Sequence, residues 1–402
     1  MEQNNQIDGI FKGKSPFLTQ GRLTKIIDIL KPVLQKHNYK KIQIIPGTRS
    51  WTSAPLPDII NFFTLITGNG NSILRSSVWP EFYEKILKIK SHECAILYRL
   101  FHRNGYIKNK ELLKVFSQNE IDELIKSYLL VNENELYFSL LKVSPVENGY
   151  FLSGVVTVTP GEFIYLGWDS YILSKALINT LADKPQMNRA LDLCTGSGVQ
   201  AILASRYFSQ VIGVDINTNS PLIASANSRL NDRNNCYFIL SDLYTHVEGQ
   251  FDFIIANPPY VFSTEKADLL GYCGDGKSYY GMEIPLRIIE GWERFLNQTG
   301  EAIMITISPI VNSADILASL VKERFNTFHL SFEFYEIATH VMHKGLIEEH
   351  KKAGIEHATF YIIKAKRASQ FSLSIIQTTS LNKTLGRFAK LQTILTHKLK
   401  HN

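Results

Sequence analysis

The sequence is poor in cysteine, has no long apolar run and, over its last 39 residues, has no acid at all. Its four cysteines, Cys94, Cys194, Cys236 and Cys273, form no Cys-x-x-Cys pair, and no metal-ligand spacing joins them to histidines. This argues against a thiolate metal centre, and reduced thiols in a cytoplasmic protein are the expected state. His340 and His343 lie three apart without a third ligand nearby, so they read as ordinary residues and no metal is expected. No stretch reaches the roughly 18 apolar residues of a membrane-spanning helix. The opening segment 1–9 is polar and lacks the basic-then-apolar form of a secretory signal.

Charge is unevenly placed. Eight of the 43 lysines and arginines fall between Lys364 and Asn402, where Asp and Glu are absent. Residues 1–363 therefore hold 35 basic against 37 acidic residues, and the net charge of +6 belongs to the C-terminal segment. The bland reading of residues 380–402 is a helix packing an apolar stripe of Leu381, Leu385, Phe388, Leu391, Ile394, Leu395 and Leu399. The functional reading is a helix for a partner, RNA or membrane.

At 402 residues, two or three domains are expected. Residues 1–90 mix helical and strand-like patterns. Gln20–His37 carries Leu23, Ile26, Ile27, Ile29, Leu30 and Val33 on a helical period, 42–46 reads as a strand and 46–58 as a loop. Residues 91–159 read as three helices and then a hairpin across Glu147-Asn148-Gly149, a winged-helix-like order. This module holds seven basic and eight acidic residues, which is not the footprint of a phosphate binder, so a substrate lid or dimer contact is favoured. Residues 160–366 alternate short apolar strands with helices, the pattern of a doubly wound α/β sheet whose ligand sits beyond the carboxyl ends of the strands. Residues 367–402 form the basic tail.

Four features close successive strands of that sheet. Asp192-Leu-Cys194-Thr195-Gly196-Ser-Gly198 precedes a helix, where glycines allow close backbone approach to a ligand. Asp215, followed by Ile216, can accept both hydroxyls of a ribose. Asp242 can accept from an exocyclic amine, and Leu243 can cover an adenine face. Each acid taken singly is better explained by a helix cap or turn. The fourth feature is Asn257-Pro258-Pro259-Tyr260, in which two prolines stop the strand and present Asn257 and Tyr260 at the sheet edge.

In this order the four features resemble the class I S-adenosylmethionine-dependent methyltransferases, and Asn-Pro-Pro-Tyr resembles the signature of their amino-methylating branch. The resemblance covers roughly residues 160–310. It implies a mostly parallel sheet with an antiparallel last strand, preceded by an α+β region. It implies S-adenosylmethionine as cofactor and S-adenosylhomocysteine as product. The cofactor would be held by Asp192, Cys194, Thr195, Gly196, Gly198, Asp215, Ile216, Asp242, Leu243 and Asn257. Such families commonly have glycine where this chain has Cys194. The domain order, with Cys273-Gly-Asp-Gly276 after the turn, is similar to a group of bacterial two-domain methyltransferases with a winged-helix-like N-terminal region.

Aligning a sulfonium methyl with a planar nitrogen is a problem of orientation. Asn257 Oδ1 and the Pro258 carbonyl would accept the two N–H bonds of the acceptor, and Tyr260 would stack on its plane beside Pro259. The acceptor is read as a peptide, a protein or a nitrogen-containing small molecule, with a homodimer possible and no membrane partner. Three alternatives stay open: an adenine or guanine amino methyltransferase of RNA or DNA, a non-methylating enzyme such as a cyclase that uses the same cofactor, and a non-catalytic cofactor-binding module.

Overall fold

The alternating strands and helices that dominate the second half of the chain form, in the computed structural model, one twisted mixed sheet. The structure describes residues 18–41, 84, 87–89, 91–154, 164–263, 273–275, 279–341 and 346–377. The strand-like 42–46, the loop 46–58, His343 and the C-terminal helix of 380–402 lie outside the described residues.

Helix α1 (Gln20–Lys36) begins at Thr19, whose side chain accepts from the Arg22 amide, and buries Leu23, Ile26, Ile27, Leu30, Val33 and Leu34 on one face. Helix α2 (His92–Leu97) is capped by Ser91 and runs on into a wider π-type turn, Tyr98–His102. Strand β1 (Ile107–Lys108), α3 (Asn109–Leu112) and α4 (Gln118–Lys126) follow, the last opened by a reciprocal Ser117–Glu120 capping box. Strands β2 (Leu130–Glu133) and β3 (Leu136–Ser139) complete a three-stranded antiparallel sheet in the order β1-β3-β2.

Strands β4 (Leu141–Val146) and β5 (Gly149–Gly154) form a separate two-stranded ribbon. The hairpin read from the sequence is thus this ribbon, and the small sheet takes its own hairpin from 130–139. Its turn, Asn134-Glu135, has positive φ at both residues (52° and 63°), the primed geometry usually marked by Asn-Gly. With Glu in the second place, the turn leaves little trace in the sequence.

The second half contains α5 (Trp168–Leu181), β6 (Met187–Leu193), α6 (Val199–Ala204), β7 (Phe208–Asp215), α7 (Ser220–Leu230), β8 (Cys236–Leu240) and β9 (Phe251–Ala256). Then come β10 (Val261–Ser263), β11 (Cys273–Asp275), α8 (Glu283–Phe295), β12 (Leu296–Val311), β13 (Ala314–Asp315) and α9 (Ile316–Arg324). The chain closes with β14 (Leu330–Val341), α10 (Ile347–Lys352), β15 (Ile355–Arg367) and β16 (Ser372–Gln377). The main sheet runs β16-β14-β15-β12-β9-β6-β7-β8. Neighbours from β12 to β8 are parallel, whereas β15 is antiparallel to both β12 and β14. β16 adds a parallel edge beside β14, inside the segment that reads as a tail because only six half-polar residues mark it.

Order along the sheet reverses between β6 and β9, the switch point at which α/β sheets open a crevice. Phe208, Val211, Phe251, Phe253, Ile254, Trp292, Phe332 and Phe360 fill the core around the sheet. A second core joins α1, α2 and α4 to Ile223, Ala226 and Leu230 of α7, so the N-terminal part packs directly on a helix of the sheet domain. No helix among the described residues is long and apolar enough to cross a membrane.

Candidate active site

The loop after β6 is shaped by Asp192 and by two glycines. Asp192 is buried, and its Oδ2 accepts from Thr195 Oγ1 at 2.5 Å and from the Ala201 amide at 3.1 Å. Burial pushes its carboxyl up to about 7. Asp192 therefore supports the loop from behind. Gly198 has φ +76°, and a Cβ there would come within 2.8 Å of Ala224 Cβ, so glycine lets the loop rest on α7. Cys194 adopts φ +56°, a left-handed conformation costly for a side chain. Its thiol is pushed up by burial and by the charges of Asp215, Asp192 and Asp242.

Asp215, at the end of β7, binds the same loop. Its Oδ2 accepts from the Gly196 amide at 2.7 Å and its Oδ1 from the Asn217 amide at 2.9 Å. Ser220 Oγ donates to the Gly196 carbonyl at 2.7 Å. Ile216 follows with 72% of its surface exposed, an apolar plate beside the acid. After β8, Asp242 Oδ2 accepts from Arg287 Nη2 of α8 at 3.0 Å. Leu243 has φ +46° and is buried.

At the end of β9, the N-terminus of α5 holds the Asn-Pro-Pro-Tyr turn at two points. Asn257 Nδ2 donates to Ser170 Oγ at 3.1 Å, and Tyr260 Oη donates to Asp169 Oδ2 at 2.9 Å. The Ser170 amide donates to Asp169 Oδ1 at 2.7 Å. Asn257 Oδ1 is buried and has no hydrogen-bond partner among the described residues. The Tyr260 ring meets Phe360 edge-on at 5.9 Å. Burial raises the Asp169 carboxyl, and the Tyr260 hydroxyl bond opposes that rise.

These parts surround one cavity of about 420 Å³. Of the residues singled out from the sequence, Cys194, Thr195, Gly196, Asp215, Ile216, Asp242, Leu243, Asn257, Pro258, Pro259 and Tyr260 line it. Asp192 and Gly198 do not line it and act on the loop from behind. Asp169 and Ser170 are also on its wall, with Asp169 tied to Tyr260. Sequence reasoning missed Gln200, Asn217, Ile284 and Arg287. Only the position of Arg287 on the helix after the turn hinted at a role.

The cavity suits a small ligand with positive charge. Its volume is in the range of ligand pockets. Asp169, Asp215 and Asp242 line it against one cation, Arg287, among the described lining residues. Asp169 and Asp215 are raised first by burial, and a nearby cation would relieve that penalty. An exposed Ile216, a buried Leu243 and the unpaired Asn257 Oδ1 add apolar faces and a free acceptor. These acceptors and walls fit S-adenosylmethionine, with acids for its hydroxyls and amines and apolar faces for its base.

Comparison with known proteins places this geometry. Two family models match: "Methyltransferase small domain" over residues 156–272 and "Eco57I restriction-modification methylase" over 215–339. A release factor glutamine methyltransferase of Thermodesulfovibrio yellowstonii is 32% identical over 232 residues, 48% of this chain and 81% of its own length. A ribosomal protein uL3 glutamine methyltransferase of Xanthomonas campestris pv. campestris is 35% identical over 128 residues, 29% of this chain and 40% of its own length. A putative protein N5-glutamine methyltransferase of Methanocaldococcus jannaschii is 32% identical over 136 residues, 33% of this chain and 66% of its own length. The chain thus spans less than two thirds of these last two relatives.

Proposed function

Because the chain belongs to the class I S-adenosylmethionine-dependent methyltransferases with an Asn-Pro-Pro-Tyr turn, we propose that it methylates an amide nitrogen of a protein, a glutamine side chain being the acceptor the relatives suggest. The observation that carries this reading is Asn257 Oδ1, a buried acceptor without a partner on the wall of the acid-rich cavity.

When bound, S-adenosylmethionine supplies an electrophilic methyl on a sulfonium. Asp215, which accepts from the Gly196 and Asn217 amides, would take the ribose hydroxyls. Asp242, steadied by Arg287, would take the exocyclic amine, and Ile216 and Leu243 would flank the base. A carboxamide nitrogen is a poor nucleophile because its lone pair is delocalised. Asn257 Oδ1 and the Pro258 carbonyl accept its two N–H bonds, which turns the lone pair toward the methyl and stabilises the positive charge that develops on nitrogen. The Tyr260 ring, held by Asp169 and Phe360, forms a fixed wall for the planar amide. The methylated cationic nitrogen is acidic enough to lose its proton to water, so no general base is needed.

Residues 91–159 fit a docking surface for the acceptor better than a nucleic-acid surface, because their balance of seven basic and eight acidic residues offers no phosphate-binding field. The Eco57I match favours one second reading, methylation of a nucleobase amino group, which asks for the same two acceptors. The test is to treat a cell extract with purified protein and S-adenosylmethionine and to analyse peptides and nucleosides by mass spectrometry. A 14 Da gain on glutamine is the expected result. A gain on nucleosides alone favours the second reading, and cofactor consumed with no methylated product overturns both.

A further inference from the structure

The cofactor loop is tied to the N-terminal part of the chain through one asparagine. Asn227, on α7, is fully buried. Its Oδ1 accepts from the Leu152 amide at 2.7 Å, and its Nδ2 donates to the Leu152 carbonyl at 2.9 Å. One side chain thus pairs with the outer edge of β5 as a neighbouring strand would. The other Nδ2 bond goes to the Ser197 carbonyl at 2.8 Å, between Gly196 and Gly198. One helical turn later, Asn231 repeats the clamp on Tyr150: its Oδ1 accepts from the amide at 2.9 Å and its Nδ2 donates to the carbonyl at 2.6 Å. Asn231's other Nδ2 bond returns to the Asn227 carbonyl, so it has no bond to the loop. The close approach requires Gly149, where a Cβ would meet Asn231 Oδ1 at 2.7 Å.

Ser197 and its neighbours Thr195 and Gly196 line the cavity. Moving the β4–β5 ribbon must therefore either break a bond to a buried amide or shift the loop. The geometry points to Asn227 as a positioning residue that couples the seating of the β4–β5 ribbon to the affinity of the cofactor loop. By linkage, cofactor binding tightens the ribbon as the ribbon tightens the site. The inference rests on the reading of 194–198 as the cofactor loop.

Titration calorimetry with S-adenosylhomocysteine, on the full chain and on its Asn227→Ala and Asn231→Ala variants, tests it. Both variants lose a clamp on the ribbon, and both are expected to melt at lower temperature. Only Asn227→Ala is expected to bind the nucleoside more weakly, by about tenfold, with Asn231→Ala within about twofold of the parent. Equal binding by Asn227→Ala and the parent overturns the coupling, and so does equal weakening in both variants. A second measurement needs no mutation: amide exchange at Leu152, whose N–H points to Asn227, is expected to slow when S-adenosylhomocysteine binds, and an unchanged rate overturns the coupling. If the parent chain does not bind S-adenosylhomocysteine, the reading of the loop fails together with the coupling. If it binds and the variants behave alike, only the coupling fails.

Discussion

Asn257 Nδ2 donates to the Ser170 hydroxyl at 3.1 Å, and because that hydroxyl directs its own hydrogen to Asp169 Oδ1 at 3.5 Å, the pair sets which end of the Asn257 side chain meets the cavity. With Nδ2 held, Oδ1 is left as the acceptor. A carboxamide turned the other way would present a donor to a nitrogen that needs an acceptor.

Replacing Ser170 by alanine frees that choice. Turnover of Ser170→Ala is expected to fall about tenfold, while S-adenosylhomocysteine affinity stays within about twofold, and threonine at the same position should restore most of the rate. Single-turnover methylation of the acceptor, read beside calorimetry, separates the two effects. A variant with full turnover would show that Ser170 does not orient the amide.

Asn257 and Asp215 should divide the labour between chemistry and binding. Asn257→Ala is expected to lower turnover by about 10² or more, with cofactor binding little changed. Asp215→Ala loses both the ribose acceptor and the bond to the Gly196 amide, so its main effect is on cofactor affinity. Methylation rates and calorimetry for the pair would read as mirror images, and matching profiles would contradict the assignment.

Tyr260 is as much a support as a wall. In Tyr260→Phe, Asp169 loses its hydroxyl partner while remaining buried, which is expected to cost about 1–3 kcal/mol of stability. In the background of Asp169→Asn, the same change should cost clearly less. Urea unfolding of the four proteins gives the coupling energy, and strict additivity would mean that the bond contributes nothing.

Asp192 makes the stability of the cofactor-free protein depend on pH. Burial raises its carboxyl from the ordinary 3.8 to about 7. A raised acid binds more protons when folded, so its contribution is most favourable below pH ~4 and is lost as pH rises through about 7. The melting temperature of the parent is therefore expected to fall relative to Asp192→Asn between pH 5 and pH 8. Parallel curves for the two proteins across that window would remove Asp192 as the cause.

The sequence exposed those parts of the site that are written as contiguous words. Asp192 to Gly198 and Asn257 to Tyr260 combine conformational demand with chemistry within a few residues, so strand ends and roles could be read together. The partners that aim those words could not be read, because they arrive from elsewhere in the chain: Ser170 lies 87 residues before Asn257, and Arg287 lies 45 after Asp242. Asp192 is the converse case, since an acid at the end of a strand looks like a ligand group while here its Oδ2 accepts from Thr195 and Ala201 of its own loop and helix. In the fold, the order of the longer strands and helices from 187 to 367 was legible from period and length, while β10, β11, β13 and α10 are too short to show either. The 130–139 hairpin was not, because Asn134-Glu135 makes a primed turn without the usual glycine.

The apolar stripe shared by α1 and α7 has a practical consequence for anyone dissecting the molecule. A fragment begun near residue 160 would keep every residue that lines the cavity, yet it would uncover Ile223, Ala226 and Leu230 to water and strip Asn227 and Asn231 of the backbone they grip. Such a fragment should be sticky and poorly behaved even with its whole reaction centre intact, so surveys of acceptors are best run on the uncut polypeptide.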